Sequence, residues 1–132
     1  MCALDAKAAW KPRMDGPLEM LTGTQGVLSA VLATEDGLPL AMRVGSGQDK
    51  EGMAAAAAAM GQLAGKTLEH LGKGGLEVAT FEASKFTFLV RRLSVGFLLS
   101  VAEPEANVGL IAMEMNRAAA ALEDAASALA EP

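Results

Sequence analysis

Residues 26–42 constrain the fold of this chain more than any other stretch. The apolar run Gly26-Val27-Leu28-Ser29-Ala30-Val31-Leu32 meets the turn Glu35-Asp36-Gly37 and re-emerges as Leu38-Pro39-Leu40-Ala41-Met42. A helix rich in alanine and glycine follows. Strands joined by so short a link pair antiparallel, because a parallel return needs a dozen or more connecting residues. Asp36-Gly37 supplies the left-handed backbone of a tight hairpin turn. Both faces of the first strand, Val27/Ser29/Val31 and Leu28/Ala30/Leu32, are mainly apolar, which predicts cover on both sides. Pro39, which has no N–H to donate, fits a strand start or a sheet edge. The pattern is that of a scaffold that presents a surface.

The rest of the chain extends the pattern. Residues 1–13 read as a loose leader, and a short helix is expected from about Met14, since Met14, Leu18 and Leu21 share helical spacing. Gly23 and Gly26 stop it. The first strand is expected at 27–33 and the second up to about 44. Ser46 and Asp49 suggest a capping box opening a long helix over about 48–71, which Gly72-Lys73-Gly74-Gly75 ends. Three short strands are expected at about 76–81, 86–91 and 95–101. Pro104 and Asn107 announce a last helix with the apolar stripe Val108, Ile111, Met115, Ala118, Leu122, Ala125 and Leu129. The fold class is therefore α+β: a single five-stranded antiparallel sheet flanked by helices, in the order α-β-β-α-β-β-β-α. Residues 14–132 form one domain, with no internal repeat.

Composition narrows the partners. Eleven Lys and Arg against sixteen Asp and Glu leave a net charge of −5, and the basic residues are scattered rather than clustered. Nucleic acid and anionic membranes are thereby disfavoured, since both need concentrated positive charge. The single cysteine, Cys2, allows neither an internal disulfide nor a cysteine-based zinc cluster. Charged residues at Asp5, Lys7, Lys11, Arg13 and Asp15 break any signal core, and Arg91-Arg92 interrupts the apolar stretch 86–101. A cytoplasmic protein without a membrane-inserted segment is expected.

Motifs that suggest chemistry fail on spacing. Residues 45–52, GSGQDKEG, follow a strand and open a helix as a dinucleotide fingerprint does, but the last glycine comes too late and the strand belongs to a hairpin. Residues 61–67, GQLAGKT, imitate a phosphate loop with one residue too few between the glycines, inside a helical pattern whose N–H groups are already bonded. His70, the only histidine, suits a helix C-terminus. Arg91 and Arg92 should point to opposite faces of their strand. Glu103 and Glu105 sit where a helix entrance welcomes carboxylates. Ser29, Thr80 and Ser100 are the few polar residues expected inside. No catalytic residue, cofactor or metal ligand is assigned, and an enzyme is not expected.

The middle helix carries the most suggestive surface. Met53, Ala57, Met60, Ala64, Leu68 and Leu71 are spaced to lie on the sheet, leaving a second stripe of Ala54, Ala58, Gly61 and Gly65. Glycine inside a helix costs about 1 kcal/mol relative to alanine. Either the glycines are merely tolerated, or the stripe lets another helix approach closely. In the second case the partner is the same helix of a second copy, in a two-fold dimer.

Leu21, Gly26-Val27, Asp36-Gly37-Leu38-Pro39-Leu40-Ala41, the alanine-rich helix, Leu71-Gly72-Lys73-Gly74 and Asn107-Val108-Gly109-Leu110 together resemble the Roadblock/LC7 pattern over about residues 14–130. The resemblance implies profilin-like layering and a non-enzymatic homodimer in which the middle helices and the strands after them pair, joining two sheets into one. It implies a role beside small Ras-like GTPases, as in bacterial polarity regulators, or as a light subunit of a larger complex such as dynein or a lysosomal scaffold. By position, the dimer seam would comprise Ala54, Ala58, Gly61, Gly65, Leu76, Val78 and Phe81. Gln62, Lys66 and Glu69 would face the GTPase. A small-molecule sensor is the alternative expectation, since a sheet covered by helices can hold a ligand.

Overall fold

The computed structural model describes residues 3–45, 49–72 and 74–130. Its elements are α1 (Ala3–Thr22), β1 (Val27–Ala33), β2 (Pro39–Arg43), α2 (Lys50–Leu71), β3 (Val78–Glu82), β4 (Thr87–Leu93), β5 (Gly96–Ala102) and α3 (Val108–Ala130). The strands form one sheet in the order β2-β1-β5-β4-β3, with antiparallel neighbours throughout. The class and element order match those read from the sequence.

The sheet separates two apolar clusters, as its alternating side chains require. On one face α1 and α3 contribute Met14, Leu18, Leu21, Ile111, Met115 and Leu122, which meet Leu32, Leu89 and Leu98. On the other, α2 lies over Val31, Ala33, Val90, Phe97 and Leu99. β1 is sandwiched between the two layers, which accounts for its apolar character on both faces. Full burial of one such side chain contributes roughly 1.5–3 kcal/mol.

The local signals explain most boundaries. Gly37 turns the β1–β2 hairpin at φ 91°, with its N–H donating to the Thr34 carbonyl. Pro39 is the first residue of edge strand β2. Asn107 caps α3, its Oδ1 accepting the Leu110 N–H at 3.1 Å. From Ile111 through Met115, Ala118 and Leu122 to Ala125 the expected stripe is buried, with Val108 partly so; the side chain of Leu129 lies outside those described.

Two expectations are corrected. The first helix begins at Ala3, not near Met14, so residues 3–13 are helical rather than a loose leader. Pro12, Gly16 and Pro17 argue for an interruption, since an interior proline costs about 3 kcal/mol. The wholly buried Met14, Leu18 and Leu21 anchor the helix against α3 and the sheet, and such packing supplies most helical stability in proteins. At the second helix, Asp49 is itself the N-cap and accepts the Gly52 N–H at 3.1 Å. Ser46, the expected start of a capping box, lies outside the described residues. Gly72 closes α2 at φ 63°. Replacing Asp49 by Ala is expected to lower stability by about 1 kcal/mol, read as a lower denaturant midpoint at unchanged slope.

Polar residues in the core divide cleanly. Ser29 is buried and accepts the Gly45 N–H at 3.0 Å. Thr80 is exposed on edge strand β3, whereas Thr87, unforeseen, is buried. Ser100 is wholly buried and its hydroxyl has no partner among the described residues. Burying an unpaired hydroxyl is unfavourable, so Ser100→Ala is expected to leave stability unchanged or raise it by up to about 1 kcal/mol, measurable by thermal unfolding.

Candidate interaction surface

The surface is built on α2, and the depth at which its side chains sit decides what it can do. Met53, Ala54, Ala57, Ala58 and Gly61 are buried against the protein's own sheet. Gly61 lies against the Phe97 ring, and a Cβ added there would fall inside the ring's van der Waals surface. The β1–β2 turn also touches the helix, since a Cβ on Gly37 would lie in ordinary contact, 3.4 Å from the Ala55 Cα. Ala54, Ala58 and Gly61, expected from the sequence in a seam with a second helix, are buried within the chain itself. They are small because the sheet and Phe97 come close.

Beyond Gly61 the helix runs out of cover. None of residues 62–71 is buried. Met60, Ala64 and Leu68 are half-buried instead of lying fully on the sheet, and Leu63 and Leu71 are 61% and 62% exposed. A Cβ on Gly65 would meet nothing within 4 Å. Lengths give the reason: a 22-residue helix spans about 33 Å, while a seven-residue strand spans about 23 Å. The helix overhangs.

The sheet is open on the same side. Met60 packs on the α2-side cluster together with the half-buried Leu76, Ala79, Phe81, Phe86 and Phe88. β3 is an edge strand whose substantial packing is with β4 alone, and its outer backbone edge has no strand partner among the described residues. Val78 is half-buried on the opposite face. Gly65 of α2 and the half-buried Leu76 and Phe81 are thus on the α2 side of the sheet, and Val78 is on the other face of the same edge strand. Met60, Leu63, Ala64, Leu68 and Leu71 line the same side of the helix end, although helical spacing puts all but Leu63 on the sheet. The signal that could have placed them was the excess of helix length over strand length.

The polar rim also divides. Gln62, Lys66 and Glu69 are exposed, as expected. Gln62 is not free, since its side-chain amide donates to the Glu35 carbonyl oxygen. Arg92 pairs with the Glu35 carboxylate and lies 5.4 Å over the Phe97 ring. These contacts fasten the β1–β2 turn to the N-terminal side of the overhang. Arg91 points to the other face and donates to Asn116 Oδ1 at 2.9 Å, so the two arginines diverge as expected. Residues 61–67, which imitate a phosphate loop, lie wholly inside α2, where their N–H groups serve the helix. Among the described residues, no helix is long and apolar enough to cross a membrane.

Comparison with known proteins places this geometry among others of its kind. A family model described as Roadblock/LC7 domain matches residues 17–103. The uncharacterized protein MJ0714 of Methanocaldococcus jannaschii is 31% identical over 106 residues, covering 80% of this chain and 90% of that protein. Among solved structures, Myxococcus xanthus MglB superposes with a TM-score of 0.80 at 15% identity, over 92% of each chain. Acanthamoeba castellanii profilin II superposes at 0.60 with 16% identity, over 84% of this chain and 97% of its own. At such identities the structural likeness is one of fold, and the layering is profilin-like.

Proposed function

The chain belongs to the Roadblock/LC7 domain family, and we propose that it is a non-enzymatic homodimeric interaction module that binds a small Ras-like GTPase and regulates or scaffolds it. One observation carries the dimer: on the α2 side of the sheet, the overhanging half of α2 leaves Leu63 and Leu71 exposed and the outer edge of β3 is open. A second copy covers both at once. Antiparallel pairing of two β3 edges satisfies the outer N–H and C=O groups and joins two sheets, while Leu63, Leu68 and Leu71 of each helix meet the other copy. Gly65, Leu76, Val78 and Phe81 keep their place in that seam; Ala54, Ala58 and Gly61 do not. Exposed edge strands and contiguous apolar patches are otherwise an aggregation hazard, which such pairing removes.

The GTPase part rests on family membership and on the polar residues Lys66 and Glu69, which stay exposed beside the seam. The immobilised chain is expected to retain a small GTPase from source lysate in a nucleotide-dependent manner, tested with GTP and with GDP. Lys66→Glu with Glu69→Lys should abolish retention without changing the oligomeric state. Equal recovery with and without the charge reversal would remove this face from the GTPase contact, and no GTPase under either nucleotide would overturn the partner.

A further inference from the structure

A second feature lies on the other side of the sheet, where α3 crosses the end of β4. A cleft of about 380 Å³ opens there between Leu76, Arg91 and Leu93 on the sheet side and Asn116, Ala119 and Glu123 on α3. Its volume falls in the range of small-ligand sites. Leu93 and Ala119 are buried and give it an apolar floor.

Arg91 supplies the polar anchor. Its side chain is half-buried, and its only hydrogen bond among the described residues is to a neutral amide, Asn116. It makes no ion pair among those residues, and its Nε is fully shielded without an acceptor. A guanidinium held so lacks the countercharge that would offset its desolvation, and its planar fork matches a carboxylate. At the far end Glu123 Oε1 accepts both the Ser94 N–H at 2.7 Å and the Ser94 hydroxyl at 2.9 Å. Glu123 makes no ion pair with Arg91 among the described residues, and its own carboxylate disfavours a second negative charge at that end of the cleft.

We propose that this cleft binds a small monocarboxylate with a short apolar chain, its carboxylate on the Arg91 guanidinium and its chain against Leu76, Leu93 and Ala119. The cleft shares Leu76 with the dimer margin, but its readout is separate, and it gives ligand sensing a location on the molecule.

Hexanoate is a suitable probe, with hexanamide as its uncharged counterpart. Titration of the isotope-labelled full chain, followed by amide chemical shifts, should give saturable changes at Arg91, Asn116 and Ala119 with a Kd of about 1 mM or tighter. Hexanamide should bind at least tenfold more weakly. Arg91→Gln should weaken hexanoate at least tenfold. Asn116→Asp, at an exposed position that leaves the core untouched, supplies the missing carboxylate from within and should do the same while raising the unfolding midpoint. The site would be overturned by non-saturable shifts, by equal affinity for hexanamide, or by full hexanoate affinity in Asn116→Asp.

Discussion

Gly61→Leu is expected to cost about 3 kcal/mol or more, a large part of the 5–15 kcal/mol that holds a domain of this size together. The added side chain must enter the volume of the Phe97 ring, which is itself wholly buried between α2 and the sheet. Neither group has room to yield: Ala57 and Ala58 flank the site on the helix, and Val90 and Leu99 pack in the same cluster. Gly65→Ala, one turn further on, is expected to do the opposite. In the single chain its Cβ meets nothing within 4 Å, so, at a protein concentration low enough to keep the chain monomeric, the better helix propensity of alanine should add up to about 1 kcal/mol. Denaturant titration of both variants at one fixed protein concentration gives the comparison. Wild-type stability in Gly61→Leu would refute the placement of Phe97 beneath α2.

The second large effect is on assembly. Leu63→Glu combined with Leu71→Glu is expected to convert a dimer into a folded monomer. Both side chains are more than 60% exposed in the single chain, so the helix and core should form as before and circular dichroism should be unchanged. In a dimer the same positions become buried, at about 1.5–3 kcal/mol for each leucine, and two carboxylates facing their copies add repulsion. The dimer dissociation constant should rise more than a hundredfold. A double variant that keeps the wild-type mass would take α2's C-terminal half out of the seam.

Much of this architecture was legible in the sequence, for reasons that are local. The bounds of β1 are legible because Gly26 and the Asp36-Gly37 turn bracket a run whose one polar residue is Ser29. α3 was bounded by Asn107 and by a stripe at clean helical spacing. The extent of α1 was hidden because Pro12 and Pro17 are breakers whose cost is met by tertiary contacts of Met14, Leu18 and Leu21. Local propensity carries no record of those contacts.

The interaction surface was harder to read. Met53/Ala57/Met60/Ala64 and Ala54/Ala58/Gly61/Gly65 are adjacent arcs of one helix, and helical spacing alone does not say which arc meets the sheet. Phe97, thirty-six positions away from Gly61, decides the matter by filling the space that the missing side chain leaves. Separation in sequence likewise hid the cleft beside Arg91, whose partner Asn116 lies twenty-five positions on, in α3. Size was visible in the sequence; the direction each face points was not.

The central claim is that the margin formed by β3 and the overhanging end of α2 is covered by a second copy of this chain. The solution mass of the purified protein, measured by light scattering across a dilution series, tests it most directly. A mass of about 27 kDa, twice the 13.5 kDa of one chain, is the predicted result. A mass that stays at 13.5 kDa at every concentration would contradict it.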